Sequence, residues 1–163
     1  PVEKFGVSEF AHQIKIRGGS GVIHPDLTIE ESEQWLAAAS KEEINPIYVV
    51  APSTSDARLP LVTSQCGGFV YAASIMGVTG ARTSAPLAAR ELVARIRTTT
   101  SLPVCVGLGV STREQAREVA SYADGVIVGS AFVKALLDAP SLDAGLSAIT
   151  ALARELALGV RGQ

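Results

Sequence analysis

Two short glycine-containing segments carry the clearest chemical signal in this 163-residue sequence. Gly107 and Gly109 flank a single leucine, and Gly129, 22 residues beyond Gly107, is followed directly by Ser130. Glycine lets backbone N–H groups approach an anion because no Cβ stands in the way. A helix that begins there adds its own N–H groups and dipole, and the Ser130 hydroxyl supplies one more donor. Together the two turns predict a phosphate-binding site.

Five short apolar and β-branched runs indicate the strands that position these turns. They cover residues 21–24, 46–51, 68–73, 103–108 and 125–129. Several are apolar at successive positions, as expected for a parallel sheet covered on both faces. Segments with helical spacing lie between them, so the alternation predicts an α/β fold with a parallel sheet. The chain length favours a single domain over residues 1–163.

Capping signals and apolar spacing predict where the helices lie. A first helix is expected over residues 7–16, ending near a Gly-Gly pair. Thr28 followed by Glu31, and Ser111 followed by Glu114, fit the capping-box pattern that begins a helix. The last helix has an apolar face at helical spacing. This face comprises Leu146, Ile149, Ala153, Leu156 and Val160.

Other polar residues follow the predicted strands, at the edge where ligands of parallel α/β folds bind. Asp26 has a carboxylate for acid–base chemistry or for a turn, and the turn is the simpler interpretation. Tyr71 either hydrogen-bonds a ligand or fills the core, and taken alone it is interpreted as core. The segment 74–82 lengthens one unit, and its glycines at 77 and 80 suit a mobile loop or an ordinary surface loop.

The sequence shows phosphate binders without a visible catalytic set. No two carboxylates converge at the ligand edge, and no Ser-His-Asp or Cys-His set is apparent. His24 is interpreted as a satisfied structural residue, and Cys105 as a buried small hydrophobe. Cys66 and Cys105 lack CxxC or histidine neighbours, which argues against a metal site or a disulfide framework.

Composition excludes several other classes of protein. Hydrophobic residues make up 47% of the chain, so a packed core rather than disorder is expected. The formal net charge of -2 argues against a nucleic-acid partner. No apolar run approaches the roughly 20 residues that span a bilayer, so no membrane partner is expected. Two isolated cysteines fit a cytoplasmic location with reduced thiols.

Several of these segments, in this order, resemble one known family, the tryptophan synthase alpha subunits. Residues 68–71 and 76–82, with the Gly-Val-Thr-Gly sequence, look like the sixth strand and sixth loop of that family. Residues 102–111 and 124–134 look like its seventh and eighth strands with their phosphate turns. Residues 21–26 are similar to its fourth strand. The resemblance extends over essentially the whole chain.

The resemblance implies a (β/α)8 TIM barrel that cleaves indole-3-glycerol phosphate to indole and glyceraldehyde 3-phosphate. Tyr71 would line the substrate pocket, and Thr79 and Gly80 would belong to the loop that closes over it. The phosphate would be held by the glycines and the serine of three loops. These residues are Gly80, Gly107, Gly109, Gly129 and Ser130.

The resemblance also implies a partner, a beta subunit that carries pyridoxal phosphate and receives the indole in a heterotetramer. The alpha chain itself would need no cofactor. Asp26 would face the beta subunit, although this sequence has Thr28 where the family usually has proline. The family's acid–base glutamate and indole-orienting aspartate precede its fourth strand and are expected N-terminal to Pro1. No catalytic residue is therefore assigned here, and the isolated chain is expected to be inactive.

Five strands would correspond to strands 4–8 of a barrel that typically has about 250 residues. Five strands of eight cannot close, so self-association or an open sheet is expected for the chain alone. Two other functions stay open. One is a non-catalytic half-barrel that binds phosphate, and the other is a phosphosugar isomerase or epimerase barrel. A flavodoxin-like sheet is disfavoured because its phosphate loop comes early in the chain.

Overall fold

The computed structural model describes residues 2–73, 84–107 and 109–162. Its strands form one parallel sheet in which each strand pairs with the next along the chain. The strands are β1 (Gly21–His24), β2 (Asn45–Val50), β3 (Val70–Ala73), β4 (Val104–Gly107) and β5 (Gly125–Ile127). All five predicted strands are therefore confirmed, and each boundary agrees within two residues.

Eight helices are present among the described residues, one or two after most strands. They are α1 (Val2–Phe5), α2 (Val7–Ile16), α3 (Glu33–Lys41), α4 (Leu59–Thr63), α5 (Ser84–Arg97), α6 (Arg113–Ala120), α7 (Ser130–Leu137) and α8 (Leu142–Val160). The prediction of a first helix over residues 7–16 is confirmed as α2, and the short α1 precedes it. None of the described helices is both long and apolar enough to span a membrane.

The sheet is covered on one face. Side chains alternate along each strand, and Val70 and Val104 are fully buried against the helices. Tyr71 and Cys105, which pair across β3 and β4, lie on the opposite face and are only partly buried. The expectation of a sheet covered on both faces is therefore wrong for the described residues, because the second face has only its own side chains for cover.

The two predicted capping boxes differ from what the structure shows. Thr28 begins only a 3-10 turn, and its hydroxyl donates to the Glu31 carboxylate at 3.0 Å instead of capping a helix. In the second segment the box begins one residue later than predicted. Thr112 accepts from the backbone N–H of Gln115, whose side chain returns the bond. Glutamine satisfies this role as glutamate does, so the pattern fits two adjacent registers.

The predicted apolar face of the last helix is confirmed at its centre, where Leu156 is buried and Ile149 is half-buried, but not at its two ends. Leu146 and Val160 are 52% and 45% exposed, whereas Gly145 and Gly159 are buried. A Cβ added to Gly159 would lie 2.3 Å from the carbonyl oxygen of Arg113, at the start of α6. The side of α8 that packs is therefore set by Leu156 together with close backbone approach at the buried glycines.

Large apolar side chains stay exposed at the end of the sheet that follows β5. They are Val133, Leu136, Leu137, Leu142 and Leu146, on α7 and α8. Both β1 and β5 have one strand neighbour among the described residues, so their outer backbone groups have no strand partner there. This open arrangement agrees with the predicted half-barrel.

Gly159→Ala should destabilise the fold by about 1–3 kcal/mol, because the added methyl meets the Arg113 backbone. Chemical denaturation of the purified chain measures this change. Gly145→Ala is the matched control, since its Cβ would meet a flexible Leu136 methyl at 2.7 Å. A gain of about 1 kcal/mol for Gly159→Ala, as helix propensity alone predicts, would contradict the packing described.

Candidate functional site

The phenol of Tyr71 lies directly over Gly107 at the carboxyl edge of β3 and β4. A Cβ added to Gly107 would lie 2.3 Å from the Tyr71 hydroxyl oxygen, so the space of that Cβ is already filled by the ring. The register pairs Tyr71 with Cys105 and Ala73 with Gly107, which brings the ring along the strand toward the turn. Tyr71 is thus on the open face of the sheet, and its interpretation as a core residue is wrong.

The turn after β4 is organised by a glutamine. Gly109 has φ +65°, a left-handed conformation that favours glycine, and it is exposed. Gln115 Oε1 accepts from the backbone N–H of Ser111 at 2.9 Å and of Thr112 at 3.3 Å. These two N–H groups at the start of α6 are consequently occupied. Of this turn, Gly109 is the site residue that stays open to an anion.

The turn after β5 has a different character, since α7 begins without a side-chain cap. Gly129 is the N-cap residue and Ser130 is the first helical residue, and both are exposed. The Gly129 carbonyl accepts from the N–H of Phe132 at 3.0 Å, which fixes the first turn of α7. A Cβ at Gly129 would meet nothing within 4 Å. This helix start therefore offers N–H groups, a dipole and a hydroxyl to an anion.

An aspartate at the amino end of β5 keeps β4 and β5 in register. Asp124 Oδ2 accepts from the backbone N–H of Val104 at 2.8 Å, and Arg97 donates to Oδ1 at 3.0 Å. The Val104 hydrogen bond, followed by Arg97, lowers the pKa of Asp124. These bonds lie at the strand end opposite Gly107 and Gly129. By fixing the register of β4 against β5, the Asp124 hydrogen bonds determine where the two turns lie relative to each other.

At the outermost strand on the far side of the sheet, β1, His24 packs against an aromatic cluster. Its ring lies edge-on to Trp35, with 4.5 Å between ring centroids. His24 Nε2 and Trp35 Nε1 are buried and have no hydrogen-bond partner among the described residues. Burial accordingly lowers the pKa of His24. The prediction of a structural histidine fits this packing, whereas the prediction that it is satisfied is wrong.

Asp26 is exposed in the loop that follows β1, between two depressions. One is a groove of about 780 Å3 that also contains His24 and Trp35, and the other is a cavity of about 170 Å3 that also contains Tyr48 and Arg58. Asp26 lines both. It is separated from the glycine turns by the width of the sheet, because β1 and β5 are the outermost strands.

Thr79, Gly80 and Cys105 are the remaining residues that the sequence singled out. Thr79 and Gly80, with the loop at 74–82, lie outside the described residues. Cys105 lies on the open face and is only half-buried, so it is not enclosed in the core as predicted. The partial burial is nevertheless sufficient to raise the pKa of its thiol. Within the described ranges, no three His, Cys, Asp or Glu side chains are grouped closely enough to hold a metal ion.

Two parts of the site were not predicted from the sequence. The role of Gln115 was missed because Glu114 fitted the same pattern one position earlier. The contact of Tyr71 with Gly107 was missed because it joins residues 36 positions apart, and only strand pairing brings them together. The alternation of side chains along β3 did contain a signal, since Val70 and Ala72 occupy the opposite face.

A sequential parallel sheet, helices packed on one face and glycine turns at the carboxyl edge define a protein of the (β/α)8 barrel class. Here five strand–helix units of that barrel are described. The family model described as tryptophan synthase alpha chain matches residues 1–160. The chain belongs to the tryptophan synthase alpha chain family.

Individual relatives agree with this assignment. The chain is 55% identical over 163 residues to the tryptophan synthase alpha chain of Streptomyces coelicolor, covering 100% of this chain and 60% of the relative. For that of Streptomyces avermitilis the identity is 56% over 162 residues, covering 99% and 58%. A Mycobacterium tuberculosis tryptophan synthase structure matches at a TM-score of 0.87 and 50% identity, covering 99% and 59%. The chain thus spans about three fifths of these relatives.

Gly107→Ala should destabilise the chain by about 1–3 kcal/mol, because the methyl would collide with the Tyr71 ring. In a double-mutant cycle, Tyr71→Ala should cost less in the Gly107→Ala background than in the unaltered chain, since the collision is already relieved. Urea denaturation of the four proteins measures the coupling. Additive changes would contradict the contact.

Proposed function

We propose that this chain forms the phosphate-binding part of an enzyme that cleaves indole-3-glycerol phosphate to indole and glyceraldehyde 3-phosphate. The pairing of β4 with β5 carries the proposal, because it brings Gly107, Gly109, Gly129 and Ser130 to one edge. Family membership supports the reaction. The uncapped start of α7 supports an anion as the group that is bound there.

In this proposal the chain contributes substrate positioning to the reaction. Gly129, Ser130 and Gly109 hold the phosphate, with Gly107 beside them, and Tyr71 lines the adjoining pocket on the open face. Thr79 and Gly80 belong to the loop that closes over the substrate. Anchoring the phosphate holds the rest of the substrate in place, so that its binding energy is used for orientation at the bond that breaks.

Bond cleavage itself needs an acid and a base. A base must remove the proton of the hydroxyl on the glycerol chain, and an acid must protonate the indole carbon as the carbon–carbon bond breaks. We assign neither role to a residue of this chain. A glutamate and an aspartate N-terminal to Pro1 are proposed for them, and the chain by itself is then inactive.

The assembly proposed for the chain is a heterotetramer with a beta subunit. Pyridoxal phosphate belongs to the beta subunit and supplies the chemistry that uses indole, whereas the alpha reaction requires no cofactor. Asp26 is proposed as an interface residue, and its exposed position beside two depressions supports that placement. The proposed location is the cytoplasm. Neither nucleic acid nor a membrane is proposed as a partner.

Ser130→Ala and Gly129→Ala should each weaken binding of inorganic phosphate by about fivefold or more. The hydroxyl is lost in the first variant, and a methyl narrows the approach to the α7 N–H groups in the second. Calorimetric titration measures the affinity, with Ser147→Ala, on the exposed side of α8, as the control. The Gly129 methyl meets no protein atom, so the melting temperature should fall only by the modest amount that alanine costs at an N-cap. Unchanged phosphate affinity in both variants would contradict the site.

With indole-3-glycerol phosphate as the ligand, the purified chain should bind it and release no indole. Indole release is followed by absorbance or by chromatography. Production of indole would show that the acid–base groups are within this chain and would overturn their placement before Pro1. Turnover of a sugar phosphate without any binding of indole-3-glycerol phosphate would instead favour an isomerase or epimerase.

A further inference from the structure

The loop between β1 and α3, which carries Asp26, is tied to the neighbouring loop by a two-pronged ion pair. Arg58 Nη1 donates to Glu30 Oε1 at 2.7 Å, and Arg58 Nη2 donates to Glu30 Oε2 at 2.7 Å. Parallel, bidentate bonds of this kind fix the relative orientation of the two groups as well as their distance. Arg58 belongs to the β2–α4 connection, so the pair joins the loops that follow two adjacent strands.

The loop that carries Arg58 is itself held from a third element. Arg95, near the end of α5, donates through Nε to Asp56 at 2.7 Å and through Nη1 to the Pro52 carbonyl at 3.3 Å. It also donates to the Thr54 carbonyl. The connection that carries Arg58 is therefore held against α5, which restricts the position of Arg58 relative to Glu30.

The loop of Asp26 is also restrained internally. Ser32 is buried and donates to the Ile29 carbonyl at 2.8 Å, and Thr28 donates to Glu31 at 3.0 Å. Leu27 packs against the cluster that contains Trp35. With both ends of the turn fixed, the Glu30–Arg58 pair is the contact that orients its outer side.

We propose that the Glu30–Arg58 pair is a positioning pair, which holds the loop of Asp26 in the conformation that docks a cationic surface of the partner subunit. The proposal rests on the proposed function, in which Asp26 faces the beta subunit. Besides Glu30, whose charge Arg58 balances, residues 25–33 include three carboxylates and no lysine or arginine, so a positively charged partner surface is the complement. Arg58, chiefly by its hydrogen bonds, holds the pKa of Glu30 at about 2, so the pair stays charged at neutral pH.

If the Glu30–Arg58 pair only stabilised the fold, its removal would lower the melting temperature. The side chains of Arg58 and Glu30 are 42% and 56% exposed, and an ion pair this accessible contributes little to folding. Its removal should leave the melting temperature almost unchanged. Its effect on docking should be larger, because a loop that is not pre-ordered must be ordered at the moment of binding.

The decisive variant is Arg58→Met, because charge and positioning predict opposite results. Removing a positive charge makes the surface more acidic, so charge attraction alone would tighten binding to a cationic partner. Loss of positioning would weaken it, by about fivefold. Glu30→Gln should weaken it by a similar factor. Arg113→Met is the matched control, because Arg113 and its partner Glu155 are 40% and 56% exposed.

Affinity for the beta subunit of the same organism is measured by titration calorimetry, with the melting temperature of each variant. We expect weaker binding by Asp26→Asn, Glu30→Gln and Arg58→Met, unchanged binding by Arg113→Met, and loss of affinity at about 0.5 M salt. Equal or tighter binding by Arg58→Met overturns this inference alone. So does weaker binding by Arg58→Met if Arg113→Met weakens binding as much, or if Arg58→Met also lowers the melting temperature. Failure of the unaltered chain to bind overturns the proposed partnership as well.

Discussion

The parallel pairing of β4 with β5 is the constraint on which the candidate site depends. It places Gly107 level with Ile127, so the turns that follow the two strands emerge at the same edge. The Asp124 carboxylate bonds the Val104 backbone at the opposite end and keeps this pairing from sliding. In a strand a slip of one residue reverses which face every side chain occupies, and here it would also separate the turns.

The same pairing explains why the two turns are not equivalent. After β4, the Gln115 side chain occupies the backbone N–H groups of Ser111 and Thr112, directly before α6, as part of the capping box of that helix. After β5, a glycine stands at the N-cap and the helix start stays open. In the proposed site, the turn after β5 would therefore supply most of the donors. The Tyr71 ring lies over Gly107, next to the turn that follows β4.

At the β1 side of the sheet, charged side chains rather than glycine turns determine the structure of the loop. There the loop after β1 is held by charged side chains whose partners lie on the next connection, and Arg95 holds that connection in turn. The core contributes through Leu27 and Trp35. Positions that are exposed and charged often have no fixed conformation, whereas here paired hydrogen bonds define one. The proposed role of this loop, as a surface for a partner and not for the substrate, draws on the family relationship and on its acidic character.

Local patterns were sufficient for all five strands and the first helix, and they placed Gly107, Gly109, Gly129 and Ser130 in turns at one edge of the sheet. Apolar runs bounded by glycine or proline mark short buried strands, and a glycine after a strand restricts what can follow it. Patterns failed where neighbouring residues offered equal alternatives. Glu114 and Gln115 both satisfy a capping box, and Leu146 looked more suitable for burial than Gly145.

By itself the sequence determined the α/β class, the order of the elements and the residue types at each turn, because these depend on interactions within a few positions of the chain. Only the tertiary structure decided that Tyr71 covers Gly107, that Gly159 of α8 packs on the Arg113 backbone and that Arg58 holds Glu30. These contacts join residues 28 or more positions apart. Their geometry depends on strand register and on close approach of backbones, and neither is encoded in local spacing.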